Sequence, residues 1–219
     1  MPRILFSKTS DAVWMSHLDL MRLFQRAFKR AGLALTHTQG YNPRPSVSIA
    51  LPLSVGVESV CELLDFDLEG ERVSCDEITA RLNAALVPGI RVLQTYDNGA
   101  KIKDISLLLC QLTMEYDAGV PEKAGEQISL LFQRDSLEVE KKGKNGPVQQ
   151  DIIPMIRRVE LSQTDEHTLV LDTLICCQNP SLNPMQLVAA IACYLPQYAP
   201  NFAKCRRIDI FNNQEKQFR

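Results

Sequence analysis

The order of extended and helical segments constrains the fold of this chain most, because the same order occurs twice. Apolar residues at every second position predict strands, and apolar residues recurring every three or four positions predict helices. In the first half, the pattern predicts strands at 3–8, 33–38, 45–53, 63–68 and 90–96 and helices at 16–32 and 74–86. In the second half, it predicts strands at 108–117, 136–142, 152–161, 168–176 and 206–212 and helices at 122–132 and 184–194.

Each half follows the order β-α-β-β-α-β if one of the strands between the two helices is split into a hairpin. That order is the plan of the ferredoxin-like fold. The turn sequence Asp97-Asn-Gly-Ala100 separates the halves, and no residue-level repeat relates them. We therefore predict an α+β protein of two tandem ferredoxin-like domains, residues 1–99 and residues 100–219.

Composition and cysteine spacing exclude several classes of protein. Of the 219 residues, 45% are hydrophobic, and no apolar run approaches the length of a membrane helix. The start of the chain, Met1–Lys8, predicts a strand and not a signal peptide. The seven cysteines form neither a Cys-x-x-Cys pair nor a three-cysteine cluster motif. We expect a cytoplasmic protein with free thiols, no membrane partner, no metal site and no cofactor.

The charges are distributed unevenly along the chain although the net charge is only −2. Residues 1–45 contain seven Lys or Arg residues against two acidic ones, whereas residues 46–100 contain three against nine. Residues 201–219 are basic again, with five against two. A local basic face attracts anionic partners more effectively than net charge does. The alternative is that this segregation disappears in the folded protein.

The segment 37–46 predicts a rigid loop with mixed recognition chemistry. Gly40 and two prolines mark fixed turns. Between them, Tyr41 can stack on a ring, Asn42 can hydrogen-bond a base edge, and Arg44 can bind a phosphate. Unpaired RNA bases are usually recognised by such stacking and hydrogen bonding. The alternative is that these residues only shape the turn and that Tyr41 packs against the protein.

The helix predicted at 16–32 has one apolar and one basic face. Its apolar face comprises Leu20, Leu23, Phe24, Ala27, Phe28 and Ala31. The opposite face, here called the basic stripe, comprises Arg22, Arg26, Lys29 and Arg30. Such a stripe can contact successive phosphates, which supply most nonspecific affinity for nucleic acids. The alternative is an ordinary solvated helix face.

His17 is the one catalytic candidate, because it lies in the first turn of this helix. The positive end of the helix dipole would lower the pKa of its imidazole and leave a neutral base near neutral pH. The alternative, which the sequence favours, is a histidine that caps the helix or holds the loop.

Three further clusters have simpler interpretations. Four carboxylates occupy every second position at the end of a predicted strand and so share one face: Asp65, Asp67, Glu69 and Glu71. Neighbouring carboxylates on that face are too far apart for two of them to share Mg²⁺. They therefore predict an exposed acidic edge. Cys176 and Cys177 point to opposite faces of a strand and predict core thiols. Residues 141–146 predict a mobile hairpin tip, with electrostatic contact to RNA as the alternative.

Six short motifs occur together in the first half: Phe6-Ser-Lys8, Ser16-His-Leu-Asp-Leu-Met-Arg22, Arg26-Ala-x-x-Arg30, Gly40-Tyr-Asn-Pro-Arg-Pro-Ser46, Leu53-x-x-Gly-Val-Glu-Ser59 and Leu64-Asp65. Together they resemble the bacterial radical SAM-linked family, whose function is unknown. Members occur alone or fused to radical SAM proteins, often encoded near a ribonuclease of the RNase E/G type. The resemblance implies association with a radical SAM enzyme and, through that gene context, with RNA. This chain lacks the cluster-binding cysteines and would be the linked module alone.

Together these observations favour a non-catalytic RNA-binding accessory protein that works with a radical SAM enzyme, for example by presenting tRNA or rRNA for modification. The residues assigned to RNA are Arg22, Arg26, Lys29, Arg30, Tyr41, Asn42 and Arg44. One alternative is a metal-independent endoribonuclease in which His17 is the base, Tyr41 its partner and Arg44 the phosphate clamp. Another is a protein–protein adaptor that does not contact RNA.

Overall fold

The computed structural model describes residues 1–70, 73–143 and 146–219 and shows a mixed α/β protein. The chain divides into two compact units, residues 1–104 with Arg219 and residues 105–218. The predicted domain boundary, between residues 99 and 100, lies a few residues earlier. In the described part of the chain, no helix has both the length and the apolar character needed to cross a membrane.

In the part of the first unit that the structure describes, there are four strands and two α-helices. The strands are β1 (Arg3–Lys8), β2 (Val47–Ile49), β3 (Val57–Phe66) and β4 (Ile90–Tyr96), and the helices are α1 (His17–Arg30) and α2 (Cys75–Ala85). β1 pairs antiparallel with both β3 and β4, and β2 pairs antiparallel with β3. The strand order is therefore β4-β1-β3-β2.

The core of this unit forms where α1 packs on the sheet. The Phe24 ring meets the Phe6 ring edge-on, with centroids 4.7 Å apart. The Phe28 ring lies 5.0 Å from the Phe66 ring. Leu20 and Ala27 are buried in the same cluster. The predicted apolar face of the helix is thus confirmed, because its spacing matches one side of an α-helix.

The two strands predicted on either side of the 37–46 loop were largely wrong. Residues 33–38 form only isolated bridges, from Leu35 to Leu68 and from His37 to Pro45. The strand predicted at 45–53 shrinks to the three residues of β2. Prolines 45 and 52 lack the N–H that a continuous ladder requires, which limits the pairing. The strand predicted at 63–68 is longer, since β3 begins at Val57.

The described residues of the second unit form six strands and two α-helices. They are β5 (Leu107–Glu115), α3 (Ala124–Leu131), β6 (Glu138–Gly143), β7 (Gly146–Asp151), β8 (Ile156–Gln163), β9 (Thr168–Cys176), α4 (Met185–Tyr194) and β10 (Phe202–Phe211). β5 pairs antiparallel with β10 and β9, and β9 pairs antiparallel with β8. The main sheet has the order β10-β5-β9-β8, while β6 and β7 form a separate hairpin.

Strand β7 was not predicted from the sequence. Its Gly146-Pro-Val-Gln-Gln-Asp151 segment has weak strand propensity, and Pro147 suits only an edge position. Tertiary bonds hold the hairpin instead: the Tyr194 hydroxyl donates to the Glu138 carbonyl at 2.9 Å. The predicted hairpin tip, residues 141–146, includes the end of β6 and the start of β7. Lys144 and Asn145 fall outside the described residues.

Candidate functional site

Helix α1 presents the basic stripe on its exposed face. Ser16 is the N-cap, and its hydroxyl accepts the Asp19 N–H at 3.2 Å. The same hydroxyl donates to the Asp19 carboxylate at 2.7 Å, and this hydrogen bond lowers the pKa of Asp19. The four stripe residues are all exposed: Arg22, Arg26, Lys29 and Arg30. The cap and the buried apolar face therefore fix which side of the helix the cations occupy.

The four cations of the stripe are not equivalent. The Arg22 guanidinium lies 3.4 Å from the Asp19 carboxylate, and the Arg30 guanidinium donates to the Ala85 carbonyl at 2.6 Å. Within residues 1–70, 73–143 and 146–219, Arg26 and Lys29 make no hydrogen bond or ion pair. Arg26 and Lys29 are thus the stripe cations most available to an external anion.

The loop at 37–46 is fixed at its base by paired backbone bonds. The Thr38 N–H donates to the Arg44 carbonyl at 2.8 Å, and the Thr38 hydroxyl accepts the Arg44 N–H at 3.0 Å. One step further in, the Ser46 N–H donates to the Thr36 carbonyl at 2.8 Å. Gly40, at the tip, has φ +135°, a conformation that other residues resist.

The side chains at the tip of this loop point into solvent. Tyr41 has 106% of its reference area exposed, and Asn42 and Arg44 are exposed as well. The alternative in which Tyr41 packs against the protein is therefore wrong. A fully exposed aromatic ring on an anchored loop has one face free for stacking on another ring.

A cavity of about 480 Å³ joins the stripe to the base of the loop. The α1 side contributes Gln25 and Lys29, and the loop side contributes His37 and Pro45. Glu69 completes the rim, with its carboxylate 3.9 Å from His37 Nδ1. Lys29 thus belongs to both the stripe and the cavity, a relation that the sequence did not indicate.

His17 lies at the other end of α1 from this cavity. It is the first residue of the helix, is half-buried, and its Nδ1 is buried without a hydrogen-bond partner among the described residues. Lys29 is twelve residues further along, or about 18 Å at the helical rise. In the part of the chain that the structure describes, His17 makes no hydrogen bond to Tyr41 or Arg44.

A buried polar cluster near the start of α1 was missed by the sequence reasoning. Lys8, Ser59 and Glu62 are each 0% exposed. The Lys8 ammonium donates to the carbonyls of Met15 at 3.0 Å and Ser54 at 3.3 Å, and Ser59 donates to Glu62 at 2.7 Å. The signal was available, since Lys8 follows the inward-facing Phe6 by two positions. These bonds tie the chain before α1 to the sheet.

The acidic residues that alternate along the end of β3 have separate partners. Asp65 accepts two hydrogen bonds from Arg3, at 2.5 and 3.1 Å. Burial lowers the pKa of Arg3, but the hydrogen bond and charge of Asp65 outweigh burial, so that the pKa is raised. Asp67 accepts the Thr36 hydroxyl at 3.1 Å. Because β3 pairs on both sides at Asp65 and the Asp65 carboxylate is only partly exposed in its ion pair with Arg3, the predicted exposed acidic edge is wrong at Asp65. Asp67 and Glu69 are exposed, and Glu71 lies outside the described residues.

The cysteines provide no metal site among the described residues. None of the seven forms a disulfide, and no group of three potential ligands is close enough to hold an ion within residues 1–70, 73–143 and 146–219. Cys176 is buried and Cys177 half-buried, so the predicted pair of core thiols is confirmed for Cys176. The Cys110 side chain donates a hydrogen bond that lowers the pKa of Cys205.

Comparison with known families places this chain in one of them. Residues 2–184 match a family described as uncharacterized protein conserved in bacteria, DUF2344. The chain belongs to that family. No curated protein matches it.

Three solved structures are similar to the chain at low sequence identity. A Cbf5-Nop10-Gar1 complex is 10% identical, with a TM-score of 0.48, over 94% of this chain and 47% of the other. An archaeal box H/ACA sRNP Nop10-Cbf5 complex is 10% identical, with a TM-score of 0.49, over 94% and 46%. An unknown protein from Galdieria sulphuraria is 11% identical, with a TM-score of 0.26, over 94% and 96%. The chain spans about half the length of the first two.

Proposed function

We propose that this protein is a non-catalytic RNA-binding accessory protein, and that α1 and the 37–46 loop form its RNA-binding surface. The observation that carries the proposal is the position of Lys29, which belongs to the basic stripe and also lines the cavity at the base of the loop. Cations that contact phosphates and an exposed ring that stacks on a base are the two components of single-strand recognition.

We also propose that both units have the ferredoxin-like plan. The orders β4-β1-β3-β2 and β10-β5-β9-β8 support this, since each unit places its last strand beside its first. In each unit one helix follows the first strand, and the other helix precedes the last strand.

The proposed partner protein is a radical SAM enzyme, and the proposed RNA is tRNA or rRNA. Support comes from the motifs between Phe6 and Asp65, which resemble the radical SAM-linked family. These motifs include residues of α1 and of the loop, so the proposed RNA surface and the resemblance involve the same part of the chain.

Salt-dependent RNA binding tests the proposal. We expect replacement of Arg22, Arg26 and Lys29 by glutamine to weaken binding of a single-stranded RNA. We also expect the slope of log affinity against log salt to fall by up to about 2, at about 0.7 per lost single-strand phosphate contact. The measurement is fluorescence anisotropy with a labelled oligonucleotide across a range of salt concentrations.

A matched control removes the same charge elsewhere in the first unit. Arg91, Lys101 and Lys103 are exposed and lie outside α1 and the loop. Their replacement by glutamine should leave most of the slope intact. Equal slopes for the two triple variants would contradict the assignment of the stripe. Absence of RNA binding by the unmodified protein would instead favour the adaptor alternative.

A further inference from the structure

The cavity beside α1 has the construction of a small-ligand site. Its volume of about 480 Å³ lies within the range of roughly 300–1,000 Å³ that is usual for such sites. The segment from Gly32 to Leu35 and Pro45 supply apolar surface, and Leu33 and Leu35 are themselves buried. Polar groups stand only at the rim: Gln25, Lys29, His37 and Glu69.

Size and shape restrict the occupant to a single nucleotide or a molecule of similar size. A cavity of about 480 Å³ has room for one nucleotide. Apolar walls suit the faces of a planar ring, whereas the polar rim suits the edge of the ring and its phosphate. The Lys29 ammonium, without an ion-pair partner among the described residues, is available to that phosphate.

The rim carboxylate selects among the four bases. An ionised Glu69 can only accept hydrogen bonds, and its two oxygens match two adjacent N–H donors. Guanine presents such a pair on its Watson–Crick edge, from N1 and the exocyclic N2. Uracil presents a single N–H between two carbonyl oxygens, which a carboxylate repels. Adenine and cytosine offer only their exocyclic amine on this edge.

We propose that this cavity binds an unpaired guanine nucleotide, with Glu69 accepting from the base edge and Lys29 contacting the phosphate. The inference rests on the proposed function in one respect: the guanine belongs to the RNA that crosses the basic stripe. The 37–46 loop forms one wall of the cavity, so its exposed Tyr41 lies only a few residues from the bound nucleotide.

Binding of the four free mononucleotides tests the cavity without requiring RNA. We expect 5′-GMP to bind the unmodified protein more tightly than AMP, CMP or UMP in isothermal titration calorimetry. Glu69→Gln should reduce the preference for GMP by about tenfold, because one bidentate contact to a base is worth that order of discrimination. Equal affinities for the four nucleotides, or an unchanged preference in Glu69→Gln, would overturn the guanine assignment.

Filling the cavity provides a second test. Ala34 lines the cavity and is exposed, so Ala34→Phe should occupy the space without disturbing the core. We expect this variant to lose GMP binding and to bind guanine-containing RNA more weakly. The matched control is Gln94→Phe, which adds the same ring at an exposed position on β4.

Competition in the unmodified protein needs no variant: GMP should displace labelled RNA, and UMP should not at the same concentration.

The outcomes separate this inference from the proposed function. If RNA binds but no mononucleotide binds and Ala34→Phe has no effect, the cavity proposal is wrong while the RNA surface stands. If GMP binds but RNA does not, the RNA proposal is wrong and the cavity is a nucleotide site. If neither binds, both proposals are wrong.

Discussion

Tyr116 allows the sharpest calculation from this structure. It lies directly after β5 and is only 4% exposed, and its hydroxyl donates to the Tyr198 carbonyl at 3.0 Å. Burial raises the pKa of Tyr116 to about 12. An unfolded tyrosine has a pKa of about 10, so the folded protein retains the phenolic proton over a range in which the unfolded chain loses it.

The sign and size of the effect follow from proton linkage. Because the folded pKa is raised, the stabilising contribution is fully present below about pH 10 and is lost as pH rises through about 12. The complete loss is about 2.7 kcal/mol, from two pKa units at about 1.36 kcal/mol each. At about pH 11, roughly half of the contribution of Tyr116 to the free energy of unfolding, about 1.4 kcal/mol, should already be lost.

Tyr116→Phe isolates this contribution. Near pH 8 the variant should be less stable by about 1 kcal/mol, because the Tyr198 carbonyl loses its donor. With rising pH the difference should shrink, pass through zero near about pH 10.6 and reverse, since phenylalanine cannot ionise. Urea unfolding followed by circular dichroism measures the two curves.

The control is Tyr41→Phe, because that side chain is fully exposed and lies on the loop tip. Its stability difference from the unmodified protein should stay near zero across the same pH range. Parallel curves for Tyr116→Phe and the unmodified protein, with no reversal by about pH 11, would refute the claim that burial holds this proton.

Three further predictions concern α1 and the loop. Gly40→Val should lower the free energy of unfolding by roughly 1 kcal/mol or more, because valine resists φ +135°. The added Cβ would meet no atom within 4 Å, so the backbone conformation alone causes the loss. Equal melting temperatures for the two proteins would contradict this. Phe24→Ala should cost about 3–5 kcal/mol in urea unfolding, since Phe24 is 0% exposed and contacts Phe6; a loss below about 1 kcal/mol would mean that the core refills. His17→Ala should still bind RNA, and the unmodified protein should leave RNA intact in EDTA; site-specific cleavage that the variant loses would favour the endoribonuclease.

The elements predicted well are those in which local pattern and packing agree. Strands β1, β4 and β9 begin and end at the predicted residues, and most residues of β1 and β9 are buried. Helix α2 was recognisable from Ser74, whose hydroxyl accepts the Glu77 N–H at 3.3 Å as the cap pattern predicts.

Elements held by distant contacts could not be predicted in the same way. The composition of β7 disfavours a strand, and its hairpin partner β6 accepts a hydrogen bond from Tyr194, which is distant in the chain. The candidate site shows the same difference. The periodicity of the sequence predicted which face of α1 bears the cations, but it did not predict that Tyr41 is exposed. The cavity could not be predicted either, because Gln25 and Glu69 are distant in the sequence and line the same cavity only in the folded chain.

The separation of His17 from the loop is the strongest structural argument for a binder over a nuclease. General acid–base cleavage requires the base within hydrogen-bond reach of the proton that it removes, or one water away. The base of the loop and Lys29 line one cavity, and His17 begins α1 about 18 Å away along the helix axis. Near His17, the Lys8 ammonium is engaged by two backbone carbonyls and therefore serves the packing of this region. Lys29 and the base of the loop thus lie at the end of α1 opposite the candidate base, which agrees with the proposal of a surface that binds RNA without cleaving it.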